Sequence, residues 1–511
     1  MKYFFRRMRQ SIFLLLLLLV TNSSIKAQSL TLTQQQEDFT IFKTSMQQMH
    51  AGVYWFITPQ RFTALYDSVY NTLKEGEEPE QFYLKIRYCM AALKHGHDGV
   101  DYKGEPGIAY RISTLHKSSR YLPFALKFLG NRLYIINNCS SNKTLTNGSE
   151  VLRINGKTIQ QITTVLKQYI FANGNNETFK YAVMGEYYQF HYLYQMLFGN
   201  PLTYTIEIIP FNQKKKINAK VNAVLPQTIA DEDKKQNGKD INYWNKLVDY
   251  KLLDAKQKTG YLKLETFSTY RIEQGGEKFD SILGKMFAQI KNDGIKNLIV
   301  DVRNNEGGDD AWMTAISYFK AIVPDKGAGL PYFQSDTFTY IKYVIQNDEN
   351  RQLLQLFQNN PSALLDKMPD GRFKLKPQYT EGDTKGRELQ KNAYNGKVYL
   401  LQNGLTFSAG FAFANKLNYL MDKDGNNLKV IGEQNGDDEQ AGVGSGGWGV
   451  ELALPNSKLI LHIPVTGGGD KPYAKKLSVV LDYKVIPTIQ DKIQGVDTEV
   501  EFAKRLMQKK N

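Results

Sequence analysis

A layered α/β fold joined to a separate helical region is predicted by three features of the sequence. Two runs, Asn297-Leu-Ile-Val-Asp-Val and Lys397-Val-Tyr-Leu-Leu-Gln, are almost continuously apolar, as strands covered on both faces are. Each stands beside a segment of helical periodicity. One carries Phe279, Ile282, Leu283, Met286, Phe287 and Ile290, the other Phe411, Phe413, Ala414, Leu417 and Leu420. Between residues 34 and 93, by contrast, the pattern is helical, with apolar residues recurring at three and four.

Taken in order, the chain opens with Lys2, Arg6, Arg7 and Arg9, then the apolar run Ile12 to Val20, then small and polar residues to Ala27. A basic start, a short apolar segment and a small residue at the cut describe an export signal. Nine apolar residues are too few to cross about 30 Å of hydrocarbon, so cleavage near Ala27 and an exported, periplasmic or extracellular mature chain are expected. Residues 28–104 then form the helical region, with Phe39, Phe42, Met46 and Met49 on one face and Phe62, Leu65, Val69 and Leu73 on another. Residues 105–225 read as short strands, and Ile159 to Ile170 as a helix. Their stretch Gly148-Ser-Glu-Val-Leu-Arg-Ile-Asn-Gly-Lys-Thr-Ile resembles the strand, Asn-Gly turn and strand of PDZ modules, which bind chain ends at a sheet edge.

The polar, lysine-rich segment 211–240 reads as a linker or an exposed hairpin. Residues 226–511 hold the α/β domain, with Gly260-Tyr-Leu-Lys-Leu as a strand and Asp310 to Ile322 as a helix that Asp309 can cap. An insertion, residues 323–396, lacks this periodicity and is expected to be a lid or an extra subdomain.

Composition narrows the function. The 511 residues carry +14, but five basic residues lie in the first 27, which contain no acid, and the remainder stands at about +9. That charge is dispersed rather than gathered into the blocks a phosphate backbone needs, so a nucleic-acid partner is not expected. A mean hydropathy of −0.43 excludes a multi-pass membrane protein. Cys89 and Cys139 are the only cysteines. They can pair in an oxidising compartment or remain buried thiols, and neither has a neighbouring base that marks a nucleophile.

Two strand-to-helix loops carry the chemistry. Arg303-Asn-Asn-Glu-Gly-Gly-Asp-Asp brings adjacent glycines to a helix start, where amides favour developing negative charge. Asn403-Gly-Leu-Thr-Phe-Ser-Ala-Gly places Ser408 at a second such junction. A serine there commonly caps a helix, and it also has amides at hand to hold an oxyanion. Thr406 replaces the first glycine of a Gly-x-Ser-x-Gly elbow, which disfavours an α/β-hydrolase.

Asp301-Val-Arg-Asn-Asn-Glu-Gly-Gly resembles the Asp-x-Arg-x-Asn-x-Gly-Gly signature of the C-terminal-processing (tail-specific) and tricorn-like serine peptidases. Val398-Tyr-Leu-Leu-Gln-Asn-Gly-Leu-Thr-Phe-Ser-Ala-Gly is similar to their nucleophile segment. Lys94-His-Gly-His-Asp-Gly-Val is similar to their Asp-Gly-His-Thr segment, with His97 at the histidine position. Val430-Ile-Gly-Glu-Gln-Asn-Gly and Val485-Ile-Pro-Thr-Ile-Gln-Asp follow in the family's order.

The resemblance implies a crotonase/ClpP-like core of β-β-α units and a peptidase needing no metal or organic cofactor. Ser408 is then the nucleophile that forms an acyl-enzyme on a polypeptide substrate. The amides of Ala409 and of Gly307 or Gly308 form the oxyanion hole. Processing peptidases activate the serine with a lysine, but residues 433–447 contain none; tricorn-like members use a histidine, here His97. His95 and His97 also have a spacing that suits a metal. Gly96 stands where such members may add a second serine. Asp482 lies one residue from the family's acid position and is the candidate to orient His97; Glu433 is a structural candidate. Two other readings stay open: a member without catalysis that binds peptides through its PDZ-like region, and an apolar-ligand carrier, since related folds occur in interphotoreceptor retinoid-binding proteins.

Overall fold

The computed structural model describes residues 30–102, 119–186, 188–237, 247–322, 332–347, 350–376, 386–422, 427–437, 449–467 and 481–508. The expected export signal, residues 1–27, lies outside them.

Three helices, Leu32–Met49, Pro59–Tyr70 and Pro79–Ala91, form the N-terminal region. Thr31 and Gln34 close a capping box on the first, Thr58 caps the second, and the last two begin with proline, whose missing N–H costs nothing there. The apolar stripes meet as expected: Phe39, Phe42 and Met46 are sealed against Phe62 and Tyr66, with Phe42 stacked on Tyr66 at 5.2 Å.

An antiparallel sheet follows, in the spatial order Phe124–Leu129, Arg132–Asn138, Glu150–Ile154, Thr203–Ile209 and Ile217–Asn222. Lys157–Thr158 folds back on Glu150–Ile154 through Asn155-Gly156, both at positive φ (48° and 81°), the backbone that a two-residue hairpin demands. The expected helix from Ile159 ends at Leu166 and tightens into a 3₁₀ turn, Lys167–Tyr169. The 211–240 segment is more ordered than its composition suggests. Ile217–Asn222 completes the hairpin, and Pro226–Asn237 is a helix pinned by Ile229, which is buried with Tyr121 and Cys139. Both cysteines are free and buried; burial raises both thiols, Cys139 to about 11.

The α/β core is a six-stranded sheet in the order Tyr483–Lys484, Leu428–Gly432, Lys397–Gln402, Asn297–Asp301, Thr259–Leu264 and Val248–Asp254. All neighbours run parallel except the last pair. Leu298 and Val300 face helices Phe279–Asn292 and Ala409–Asp422, while Ile299 faces Ala503 of the C-terminal helix Thr498–Gln508. Cover on both faces explains the unbroken apolar runs. The helix expected over 310–322 is shorter, Ala311–Ser317. The chain returning from the insertion takes its last carbonyls, through Gln390 N to Ser317 O (3.0 Å) and Tyr394 N to Tyr318 O (2.7 Å).

The insertion has structure of its own: a small sheet of Tyr332–Phe333, Phe373–Leu375 and Leu365–Lys367, and a helix, Arg351–Asn359. A further three-stranded sheet, Gly99–Tyr102, Leu459–Pro464 and Gly449–Ala453, ties the helical region to the α/β core by pairing Gly99 with His462. No helix among the described residues is long and apolar enough to cross a membrane.

Candidate active site

Ser408 lies between strand Lys397–Gln402 and helix Ala409–Asp422 with φ at +52°, a left-handed conformation that few serines adopt. The turn is held from three sides. Thr406 is fully buried and donates its hydroxyl to Val302 O (2.8 Å), which is why threonine occupies the position of the elbow's first glycine. Asn304 and Asn403 bond reciprocally, Asn304 N to Asn403 Oδ1 (3.0 Å) and Asn403 Nδ2 to Asn304 Oδ1 (2.8 Å), stitching the two loops together. Phe407 N donates to Asn305 O (2.9 Å), and a Cβ on Gly410 would lie 2.2 Å from that same oxygen.

The glycine loop packs directly against the serine. A Cβ on Gly307 would lie 2.8 Å from Ser408 Cβ and 2.9 Å from Ala409 N, and Gly307 itself sits at φ +109°. Its amide is occupied, however, by Asn305 Oδ1 at 2.9 Å. Gly308 is exposed, at φ +145°, and among the described residues its amide and that of Ala409 have no acceptor. Of the two glycines expected for an oxyanion hole, Gly308, like Ala409, has the open amide, whereas the amide of Gly307 is taken by Asn305.

His97 arrives from the helical region, 311 residues before the serine, and its Nε2 is 3.0 Å from Ser408 Oγ. Its ring lies against Phe407 (centroids 4.7 Å apart), and Phe407 is backed by Phe179. Enclosure lowers the pKa of His97 to about 4, so the imidazole is neutral at physiological pH. With Nε2 accepting from the serine, Nδ1 carries the proton; Nδ1 is sealed from solvent and has no partner among the described residues. His95 does not share a ligand with it, because His95 Nε2 bonds Gly52 O at 2.8 Å. Among the described residues no group of three His, Cys, Asp or Glu is arranged to hold a metal ion.

Asp482 is a correction. Its carboxylate accepts from Val430 N (2.8 Å) and pairs with Lys429 Nζ (3.2 Å) at the edge of the sheet, and no hydrogen bond joins it to His97. Proximity in sequence to the family's acid position placed it; the parallel pairing of strand Tyr483–Lys484 with Leu428–Gly432 spends its charge on Lys429 instead. Glu433 bears no hydrogen bond to His97 either; burial raises its carboxyl pKa.

Several residues that hold the site were not identified from sequence. Asn173 accepts Gly96 N (2.6 Å) and donates to Asp437 Oδ1 (2.5 Å), while Asn176 Nδ2 reaches the carbonyls of Asn435 and Asp437. Gly436 N returns to Thr406 O (2.8 Å), completing a bridge from the histidine loop to the serine loop. A Cβ on Gly96 would lie 2.8 Å from Phe407, so no second serine fits before His97. An open cleft of about 360 Å³ adjoins His97, lined on its far side by Glu451, His462, Asn347 and Asn350.

Residues 258–467 match the model of peptidase family S41, a span that contains the glycine loop, Ser408 and the bridge through Asp437. Within that span the chain carries a peptidase S41 domain, which supports a serine peptidase. No curated protein sequence matches it. Among solved structures, mature CPAF complexed with lactacystin is similar over 93% of this chain and 98% of that one, with 16% identity and a TM-score of 0.58. Mature CPAF without that compound gives 15% identity, 93% and 96% coverage and a TM-score of 0.57. A possible peptidase from Parabacteroides merdae has 13% identity, 93% and 98% coverage and a TM-score of 0.43. At these identities the likeness to CPAF establishes a common fold. The lysine-activated pattern is not met, since residues 433–447, which follow strand Leu428–Gly432 in sequence, contain no lysine.

Proposed function

We propose that the chain is an exported serine peptidase that cleaves polypeptides through an acyl-enzyme on Ser408, with His97 as general base. The observation that carries the reading is the 3.0 Å contact between His97 Nε2 and Ser408 Oγ, made by a histidine kept neutral by its surroundings. A serine hydroxyl is a poor nucleophile until a neighbouring base takes its proton. Here attack on the scissile carbonyl forms the Oγ–C bond as that proton moves to Nε2. The carbonyl oxygen becomes negative in front of the Gly308 and Ala409 amides, the latter at a helix start whose dipole favours negative charge. His97 then returns the proton to the leaving amine, and a water hydrolyses the ester by the same route.

Polypeptide is the substrate class that the S41 family supplies. Cleavage near C-termini is the finer reading, supported by the motifs shared with tail-specific peptidases, and the sheet around Asn155-Gly156 is the PDZ-like element proposed to receive the chain end. Export rests on the basic and apolar start of the sequence. Lactacystin, found in complex with CPAF, is a compound to test for reaction with Ser408.

The test is hydrolysis of casein or a fluorogenic peptide by the mature chain and by Ser408→Ala and His97→Ala. Each replacement is expected to lower kcat by about 10³-fold or more, as loss of a nucleophile or its base does elsewhere. Full activity in His97→Ala with none in Ser408→Ala would assign the base to another group. A wild-type chain that binds peptides tightly and hydrolyses none would favour the binding-module reading.

A further inference from the structure

Behind the histidine loop lies a closed ring of hydrogen bonds that the reaction itself does not use. His50 Nε2 meets Asp98 Oδ1 at 2.9 Å, both side chains with no exposed surface. Asp98 N donates to His95 O (3.4 Å), His95 Nε2 meets Gly52 O (2.8 Å), and Gly52 N donates to His50 Nδ1 (3.0 Å). The ring fixes protons without further assumption. Gly52 N–H needs a lone pair on His50 Nδ1, so the proton of His50 is on Nε2 and points to Asp98. Gly52 O needs a donor, so His95 is protonated on Nε2 as well. The segment is also anchored outward, by Ala51 N to Pro464 O at 3.0 Å, and Pro464 ends the strand that pairs with Gly99–Tyr102.

Resting on the serine–histidine reading above, we propose that His50 is a positioning residue: through Asp98 it fixes the backbone that presents His97 to Ser408. Asp98 is the residue next to His97, and the turn between them and His95 is held at both ends by the ring. The charge is costly to bury there. Asp98 Oδ2 and the nearby Tyr66 hydroxyl have no partner among the described residues, and burial raises the pKa of both groups. A core of this kind would be more stable with apolar residues of the same volume. Its retention beside the loop of the general base is what a positioning function accounts for. Asn173 to Gly96 N, Gly174 N to Lys94 O and the pairing of Gly99 with His462 hold the loop from its outer side, and the ring holds it from within.

The full mature chain tests this with His50→Leu, which removes both bonds of the imidazole, and His50→Gln, whose amide nitrogen reaches the place of Nε2. In folded protein, His50→Leu is expected to lower kcat and the rate of serine labelling by a fluorophosphonate about 10²-fold, the size of a displacement near 1 Å, with KM within about twofold. His50→Gln should recover most of the loss. A folded His50→Leu with wild-type kcat, or a His50→Gln as slow as the leucine variant, overturns the proposal. Should His50→Leu not fold, imidazole ¹⁵N shifts of the wild-type chain decide: a proton on His50 Nε2 agrees, and one on Nδ1 overturns it. Ser408→Ala and His97→Ala separate the two readings. Labelling that depends on both residues but not on His50 removes only the positioning proposal, whereas labelling that depends on neither removes the catalytic reading as well.

Discussion

Ser408 and His97 are each held in a state that costs stability and suits the reaction proposed for them. A non-glycine residue at positive φ costs about 1–2 kcal/mol, and Ser408 persists at +52° because Thr406, Asn305 and the Asn304–Asn403 pair fix the turn around it. Ser408→Gly is therefore expected to raise unfolding stability by about 1 kcal/mol in a denaturant titration while abolishing hydrolysis; a less stable glycine variant would contradict the strain. His97 works as a base only when neutral. With its pKa near 4, the acid limb of kcat/KM should fall near pH 4 and the profile should be flat from about pH 5 to 7. A limb at the ordinary histidine value would mean that the ring is solvated. Gly96 is a third such position: Gly96→Ser drives a side chain into Phe407 and should cost about 1–3 kcal/mol, read as a lower Tm.

At the scale of elements, the strand Asn297–Asp301 and its exit decide where the oxyanion loop stands. Arg303 there binds Asp301, Asp497 and Glu499, joining the loop to the start of the C-terminal helix. Asp301 and Glu499 are almost wholly buried, so Arg303→Met leaves uncompensated charge and should cost about 3–5 kcal/mol. Thermal unfolding of the variant measures it, and a loss under 1 kcal/mol would show that the cluster is not a structural clamp. The buried strands and their helices were legible because period and run length are local. The helix Pro226–Asn237 was not, since its one deep anchor, Ile229, sits among charges and depends on Tyr121 and Cys139 about a hundred residues earlier. The helix after Asp310 was overextended because its end is set by carbonyls that Gln390 and Tyr394 claim from the returning end of the insertion.

Across the molecule, the site is assembled from segments far apart in sequence, and that distance limited what could be read. Ser408, His97 and the glycine loop carried recognisable neighbours. Asn173, Asp437 and His50 carried none, because an asparagine in a turn-like stretch or a histidine after a helix looks alike whether it is solvated or sealed. Asp482 misled for the opposite reason, a good position in the motif and a partner, Lys429, supplied by the adjacent strand. The helical region does more than cap the core: it supplies the histidine proposed as the base, and its burial makes the fold sensitive to acid. His95, His97 and His191 all have pKa values lowered by burial, the last two to about 4. The unfolded chain binds more protons than the folded one between about pH 4 and 6.5, so stability should rise with pH across that window. Tm measured from pH 4.5 to 7 should climb, and a flat curve would mean that these imidazoles are not sealed.

In the proposed mechanism one serine is activated by one histidine brought from the N-terminal region. Intact-mass and peptide mass spectrometry of the mature chain after fluorophosphonate treatment tests it most directly. A single adduct on Ser408 is expected, formed readily by the wild-type chain and slowed at least about 10²-fold in His97→Ala. An adduct elsewhere, or equal labelling of Ser408 with and without the imidazole, would contradict it.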